Sequence, residues 1–334
     1  MTTPATSASA TSASATSAPA GPTTLGPAGS ATSAPAGPTT LAPAAPGPAA
    51  PAPGGPAAGP ASTPSRLVPV RPATFGRLVA AEWTKLRSLR SSWWVLGVGL
   101  LFLPALAASR MTSIAQVPEA VGSPGLVGAV YVTSGVVLSQ LAFCTLGVLA
   151  VTGEYGTGQI RSTLAAAPAR VPALGAKLVV TVGAVAAASL AGVALAWAAG
   201  AAWFDATGMS VDLARAEDAR IVLGVPLYLA AVTALAFGIG TIVRSSAGGI
   251  TIVLGLLLVV ENGLAAIPWG PVQTFVTYLP SSAGSRLLQS EAVGSVITTS
   301  SSTALSPWGG YGVLLVWVVV VLAVAGVLLR RRDA

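Results

Sequence analysis

The chain contains no histidine and a single cysteine, Cys144. Without imidazole, histidine acid–base chemistry and histidine-ligated metal sites are excluded. With one thiol, so are internal disulfides and cysteine ligand clusters. Charge is scarce too. Only 8% of the 334 residues are Asp, Glu, Lys or Arg, against about 25% in soluble domains, too few to cover a globule in water. There is no Walker motif, redox ligand set or Ser-His-Asp triad. The chain is therefore expected not to be an enzyme and to need no cofactor or metal. What it has in excess is apolar surface: 53% of residues are hydrophobic and mean hydropathy is +0.77. That composition argues for a polytopic membrane protein. Seventeen Lys and Arg stand against ten Asp and Glu. Such a surplus suits either nucleic acid or a membrane, and its placement decides between them.

Residues 1–65 carry no charge and consist of Ala, Pro, Gly, Ser and Thr, with Met1, Leu25 and Leu41 as the apolar exceptions. The twelve-residue string SATSAPAGPTTL occurs at 14–25 and again at 30–41. It offers no apolar face to bury, so it cannot offset its ordering entropy and reads as a disordered tail. It also lacks the basic start and apolar run of a secretory signal.

Six apolar stretches follow, at about 93–108, 126–151, 178–201, 221–243, 247–267 and 311–329. A helix rises about 1.5 Å per residue, so about 20 residues cross a hydrocarbon core of about 30 Å. Five stretches meet that length. The first is short, holds Pro104, and must extend to 91–109 to approach it. Continuous apolar runs exclude the alternating strands of a barrel, which leaves helices as the means of satisfying the backbone in lipid. The fold class expected is an all-α polytopic membrane protein, with six transmembrane helices in a domain over 66–334.

Cations set the orientation. With both termini inside, thirteen of the seventeen Lys and Arg fall on the inner side, and Arg110, Arg215, Arg220 and Arg286 fall outside. The expected location is the cell membrane, with both termini cytoplasmic. This partition accounts for the basic surplus without nucleic acid.

Two inner segments stand out. Over 75–92, Phe75, Leu78, Val79, Trp83, Leu86 and Leu89 recur at steps of three and four, and Trp93 and Trp94 follow. This is the pattern of an elbow helix lying in the interface, with Arg77, Lys85, Arg87 and Ser91 on its polar side. The loop 152–177 reads TGEYGTGQIRSTLAAAPARVPALGAK. Its middle suits a short helix ending at Pro168, and Gly153, Gly156 and Gly158 argue against a helix that starts as early as Glu154. The glycines do not make a phosphate loop, which needs a lysine and a preceding strand.

Glu261 is the lone ionisable residue within the apolar spans, with Asn262 beside it; together they form a candidate intramembrane polar site. One acid is little for a proton relay, and a Glu snorkelling to the interface or bonded to a neighbouring helix is the plainer expectation. Cys144 reads as a small core residue. Ala184, Ala188, Gly192, Ala196 and Gly200 recur every four residues and suit close helix packing, within the chain or between subunits. In the outer segment 268–310, Val272, Phe275, Val276 and Leu279 suit a short amphipathic helix before Pro280.

The strings AEWTKLRSLRSSWW at 81–94, GEYGTGQIRSTLAAAPAR at 153–170 and VVENGLAAIPW at 259–269 resemble permease subunits of type-2 ATP-binding-cassette exporters of high-GC Gram-positive bacteria. The resemblance covers residues 73–334. It implies a membrane-spanning permease that pairs with a second permease subunit and forms the translocation path. The energy would come from separate ATP-binding-cassette ATPase subunits. It also implies a coupling element over 154–170, with Glu154, Tyr155, Gln159, Arg161 and Arg170 as its candidate residues. The alternatives are a gradient-driven carrier, which should show inverted repeats and several buried charges, a membrane-embedded enzyme, or a scaffold. The apolar helix surfaces do not name a cargo.

Overall fold

A single extended residue separates the amphipathic segment from the first membrane helix. Leu89, at φ −86° and ψ 106°, ends α1 (Phe75–Ser88) and precedes α2 (Arg90–Ala115). The computed structural model describes residues 74–119, 121–123, 126–156, 158, 170–290 and 305–331. The tail 1–65, Gln159 and Arg161 lie outside them. The chain continues through α3 (Gly128–Val132), α4 (Val136–Gly156), α5 (Arg170–Thr207) and α6 (Ala216–Val243). Then come α7 (Ser246–Ala265), α8 (Gly270–Thr277), α9 (Pro280–Gly284), a 3₁₀ turn (Ser285–Leu288) and α10 (Pro307–Arg331). Six helices, α2, α4, α5, α6, α7 and α10, are long and apolar enough to cross a membrane, and the described elements include no strand. The protein is an all-α polytopic membrane protein with an elbow helix before its first span.

The boundaries differ from the hydropathy reading, each for a local reason. The elbow stops at Ser88 rather than 92. The first span gains residues at both ends and runs straight through Pro104. Proline cannot donate to the carbonyl one turn back, and here that carbonyl, on Leu100, faces α5. A Cβ on Gly192 would lie 2.9 Å from it and 2.7 Å from Leu103 Cδ1, so only glycine lets the two helices approach this closely. The four-residue stripe of small side chains thus serves packing within the chain, against α2.

The second span does not begin at 126. It breaks at Thr133–Gly135, where Gly135 lies against the backbone of Phe102 and Leu103. It then continues as α4 through Gly153 to Gly156. Helix therefore covers both ends of the segment read as a loop, since α5 already starts at Arg170.

The core is built around α6. Some 78% of its apolar window is buried, against 22% for α2, α7 and α10. Gly147 of α4 sits where a Cβ would be 2.7 Å from the Thr233 carbonyl, and Gly240 of α6 lies similarly against Val148. In lipid, apolar surface gains little by leaving the tails, so such backbone approach is what joins helices. Phe143, Cys144, Tyr228 and Phe237 fill the interior. Val316, Val319 and Val320 of α10 and Val259 of α7 remain exposed, an outward face fit for acyl chains. A left-handed Arg244 (φ 58°), whose N–H bonds the Gly240 carbonyl at 2.9 Å, turns α6 into α7 within two residues. Ser245 then caps α7 by accepting from the Gly248 N–H.

Candidate functional site

Three helices meet at the end of the bundle next to the elbow, and each brings charge. α1 carries Glu82 and Lys85 one turn apart. The last turn of α4 carries Glu154, and the third turn of α5 carries Lys177. The Lys177 ammonium donates to Glu154 Oε1 at 2.7 Å and to Glu82 Oε2 at 2.8 Å. Lys85 donates to Glu82 Oε1 at 3.3 Å and also to Glu154. Glu154 and Lys177 are only 5% and 8% exposed. An isolated charge at that depth costs several kcal/mol, and here two ammoniums and two carboxylates cancel. Burial works against the Lys85 ammonium, but the Glu154 hydrogen bond and the Glu154 and Glu82 charges outweigh it, so its pKa stands above the ordinary 10.5.

Glu154 thus stands in an internal joint between α1, α4 and α5, and Lys85 faces it instead of lying on the solvent side of the elbow. Glu82 and Lys177 were not singled out by the sequence, and Lys85 only as a residue of the elbow's polar side. The available signal was that Glu82 and Lys85 stand among Leu78, Val79 and Leu86 on the face the elbow turns inward, where an uncompensated charge is unexpected.

The other candidate coupling residues in the described region are anchors as well. The Tyr155 ring lies 5.2 Å from the Arg244 guanidinium carbon, a cation–π contact to the α6–α7 turn. Arg170 donates to the Leu329 carbonyl of α10 at 3.2 Å. Ser246 donates to Thr152 Oγ1 at 2.8 Å. The segment between Gly156 and Arg170 is thus tied at both ends to the bundle.

Glu261 belongs to a separate site. A π-helical turn over Gly255–Val260 inserts an extra residue just before it. Val259 and Val260 are exposed while Glu261 is 3% exposed. It does not snorkel. Its carboxylate accepts the Ser281 N–H at 2.9 Å, the Ser282 N–H at 2.7 Å and the Ser282 hydroxyl at 2.7 Å. It therefore caps α9, which the segment after α7 folds back into the bundle. Beside it, Tyr228 donates to Gln140 Oε1 at 2.6 Å and shares a hydrogen bond with Ser281 Oγ at 2.9 Å. Asn262 is exposed and donates to the Leu258 carbonyl of its own helix. Fifteen residues of α7 separate Glu261 from Ser246, about 22 Å along the axis, so the two carboxylate sites lie near opposite ends of the spans. Of the expected amphipathic helix, α8 forms, with Val276 buried and Phe275 exposed. Among the described residues, no group of three or more His, Cys, Asp or Glu comes together as a metal site.

Compared with protein-family models and with curated protein sequences, the chain matches none.

Proposed function

We propose that the chain is the membrane permease subunit of an ATP-driven exporter of the ATP-binding-cassette type. In this reading it resides in the cell membrane with both termini cytoplasmic, pairs with a second permease subunit, and takes its energy from a separate ATPase. The observation that carries the reading is the anchoring of the inner segment. Glu154 ties its start to the elbow and α5, Tyr155 to the α6–α7 turn, and Arg170 ties its end to α10. A partner that displaces this segment acts on five of the six membrane helices, all but α2, and on the elbow together. That is what coupling to an external engine requires, because the chain carries no nucleotide-binding motif of its own. The buried Glu261, held by three donors from one short helix, serves as a structural cap and lends a gradient-driven carrier no support.

Arg161 is the central cation of the segment. A cation there pairs with an acidic groove on a partner, and Arg161→Glu turns that attraction into repulsion, at about 2–5 kcal/mol for a buried pair and far less at a rim. Co-purification with the ATPase and cargo-stimulated ATP hydrolysis are the readouts. Arg161→Glu should lose both while still inserting, and the outer-segment control Arg215→Glu should keep both. Equal behaviour of the two variants would refute the coupling role.

A further inference from the structure

Beside the ion cluster lies a cavity of about 310 Å³, a volume at the low end for small-molecule sites. Its lining carries two kinds of chemistry. Aliphatic side chains come from Leu89, Val95, Leu146 and Leu149. Leu89 and Leu149 are 49% and 36% exposed, so the cavity is reachable from outside the bundle. The polar lining includes Lys85 and the hydroxyls of Ser91 and Ser92. Lys85 uses two of its three N–H groups on Glu82 and Glu154, which leaves one for a ligand. Ser91 and Ser92 stand in the first turn of the 26-residue α2, which has no acidic residue in that turn and no side-chain cap. The partial positive charge of a helix start therefore adds to the donors. Arg87 and Arg90, both exposed, flank the Leu89 break, and the carboxylates of Glu82 and Glu154 are already neutralised by the two lysines. The level is that of lipid headgroups, since the exposed Trp93 and Trp94 follow directly.

The Lys85 N–H, the two hydroxyls and the helix start suit an anionic group, and the aliphatic lining suits a flexible apolar chain joined to it. We propose that the cavity binds one glycerophospholipid from the leaflet in which the elbow lies. Its phosphate meets Ser91, Ser92 and Lys85, and the start of an acyl chain lies along Leu89, Val95, Leu146 and Leu149. The bound lipid would sit in the angle between α1 and α2 and fill the gap left by the break at Leu89. This assignment needs only the membrane reading and does not depend on an ATPase partner.

The test uses the full chain, purified in detergent and stripped of lipid, with binding followed by native mass spectrometry. The probes are dioleoyl-phosphatidylglycerol, dioleoylglycerol, which lacks the phosphate, and inorganic phosphate. One phosphatidylglycerol per chain should bind, at least tenfold more tightly than dioleoylglycerol, and inorganic phosphate should not compete. Leu149→Trp, which fills the cavity, should weaken phosphatidylglycerol binding tenfold or more. Leu195→Trp, on an exposed part of α5 that does not line the cavity, should leave it unchanged. Dioleoylglycerol binding as tightly overturns the headgroup assignment, and competition by inorganic phosphate overturns the lipid. Absence of a bound phospholipid, or an unaltered affinity in Leu149→Trp, overturns the site. The headgroup series on the unaltered chain decides the matter even where Leu149→Trp fails to fold.

Discussion

Glu154 and Glu261 are both nearly removed from solvent, yet they are satisfied by opposite means. Glu154 faces two ammonium groups carried on long stems by two other helices. Glu261 has no cation beside it among the described residues, and is held by two backbone N–H groups and a hydroxyl of one short helix. Lysine is a point charge on a flexible chain, so the first joint tolerates small shifts of α1, α4 and α5 without losing its energy. Backbone donors are directional and move only with their helix, so the second joint holds α9 in one pose. On these grounds the ion-pair joint is the compliant one of the two and the Glu261 joint the fixed one.

The largest expected effect comes from removing a cation at the compliant joint. Lys177→Met leaves two buried carboxylates to share Lys85. Thermal unfolding in detergent should show a loss of about 3–5 kcal/mol, the usual consequence of stranding a buried charge. The double variant Glu154→Met with Lys177→Met should recover much of that loss. A double variant as unstable as the single one would mean that the cluster is not self-compensating. At the fixed joint, Glu261→Gln keeps one acceptor but sets an amide N–H₂ against a donor. The expected cost is smaller, about 1–3 kcal/mol by the same measurement. If it exceeds that of Lys177→Met, the contrast between the two joints is wrong.

The smallest effect is alkaline. Folding raises the Lys85 pKa, so its contribution is complete below the ordinary 10.5 and fades as pH climbs through the raised value. The stability difference between the unaltered chain and Lys85→Met should therefore be constant up to about pH 10 and shrink above it. Glu261→Gln should run parallel to the unaltered chain across the same range. A difference that shrinks already near neutrality would contradict the assignment.

The six spans were legible because hydropathy is a property of composition, read without knowing any contact. Their ends were not, because a charge stops a span only when it is unpaired. Glu154 reads as the start of a polar loop, but partners 69 and 23 residues away in the chain let the helix carry it into the interior. The same distance hides the site: Glu82, Lys85 and Lys177 look like ordinary inner-surface charges until the fold gathers them. Glu261 was visible as a lone acid in an apolar run. Its partners Ser281 and Ser282 were not, since nothing in a Pro-Ser-Ser string tells that the segment after a span turns back into the bundle. The stripe on α5 was legible as packing, and its partner became evident only through the carbonyl that Pro104 leaves open.

The break at Leu89 has a kinematic consequence. One extended residue contributes two soft torsions, so α1 and α2 are rods joined at a pivot with two degrees of freedom. Covalent connection alone does not set the angle between them. Contacts on both sides of the break do: the Trp93 indole N–H donates to the Arg87 carbonyl at 3.0 Å across it, and the Lys85 and Glu82 contacts to α4 and α5 brace α1 at a distance from the pivot. A displacement of the ends of α4 and α5 that carry Glu154 and Lys177 would reach the elbow through that brace, and the exposed Phe75 and Trp83 lie on the arm it would turn.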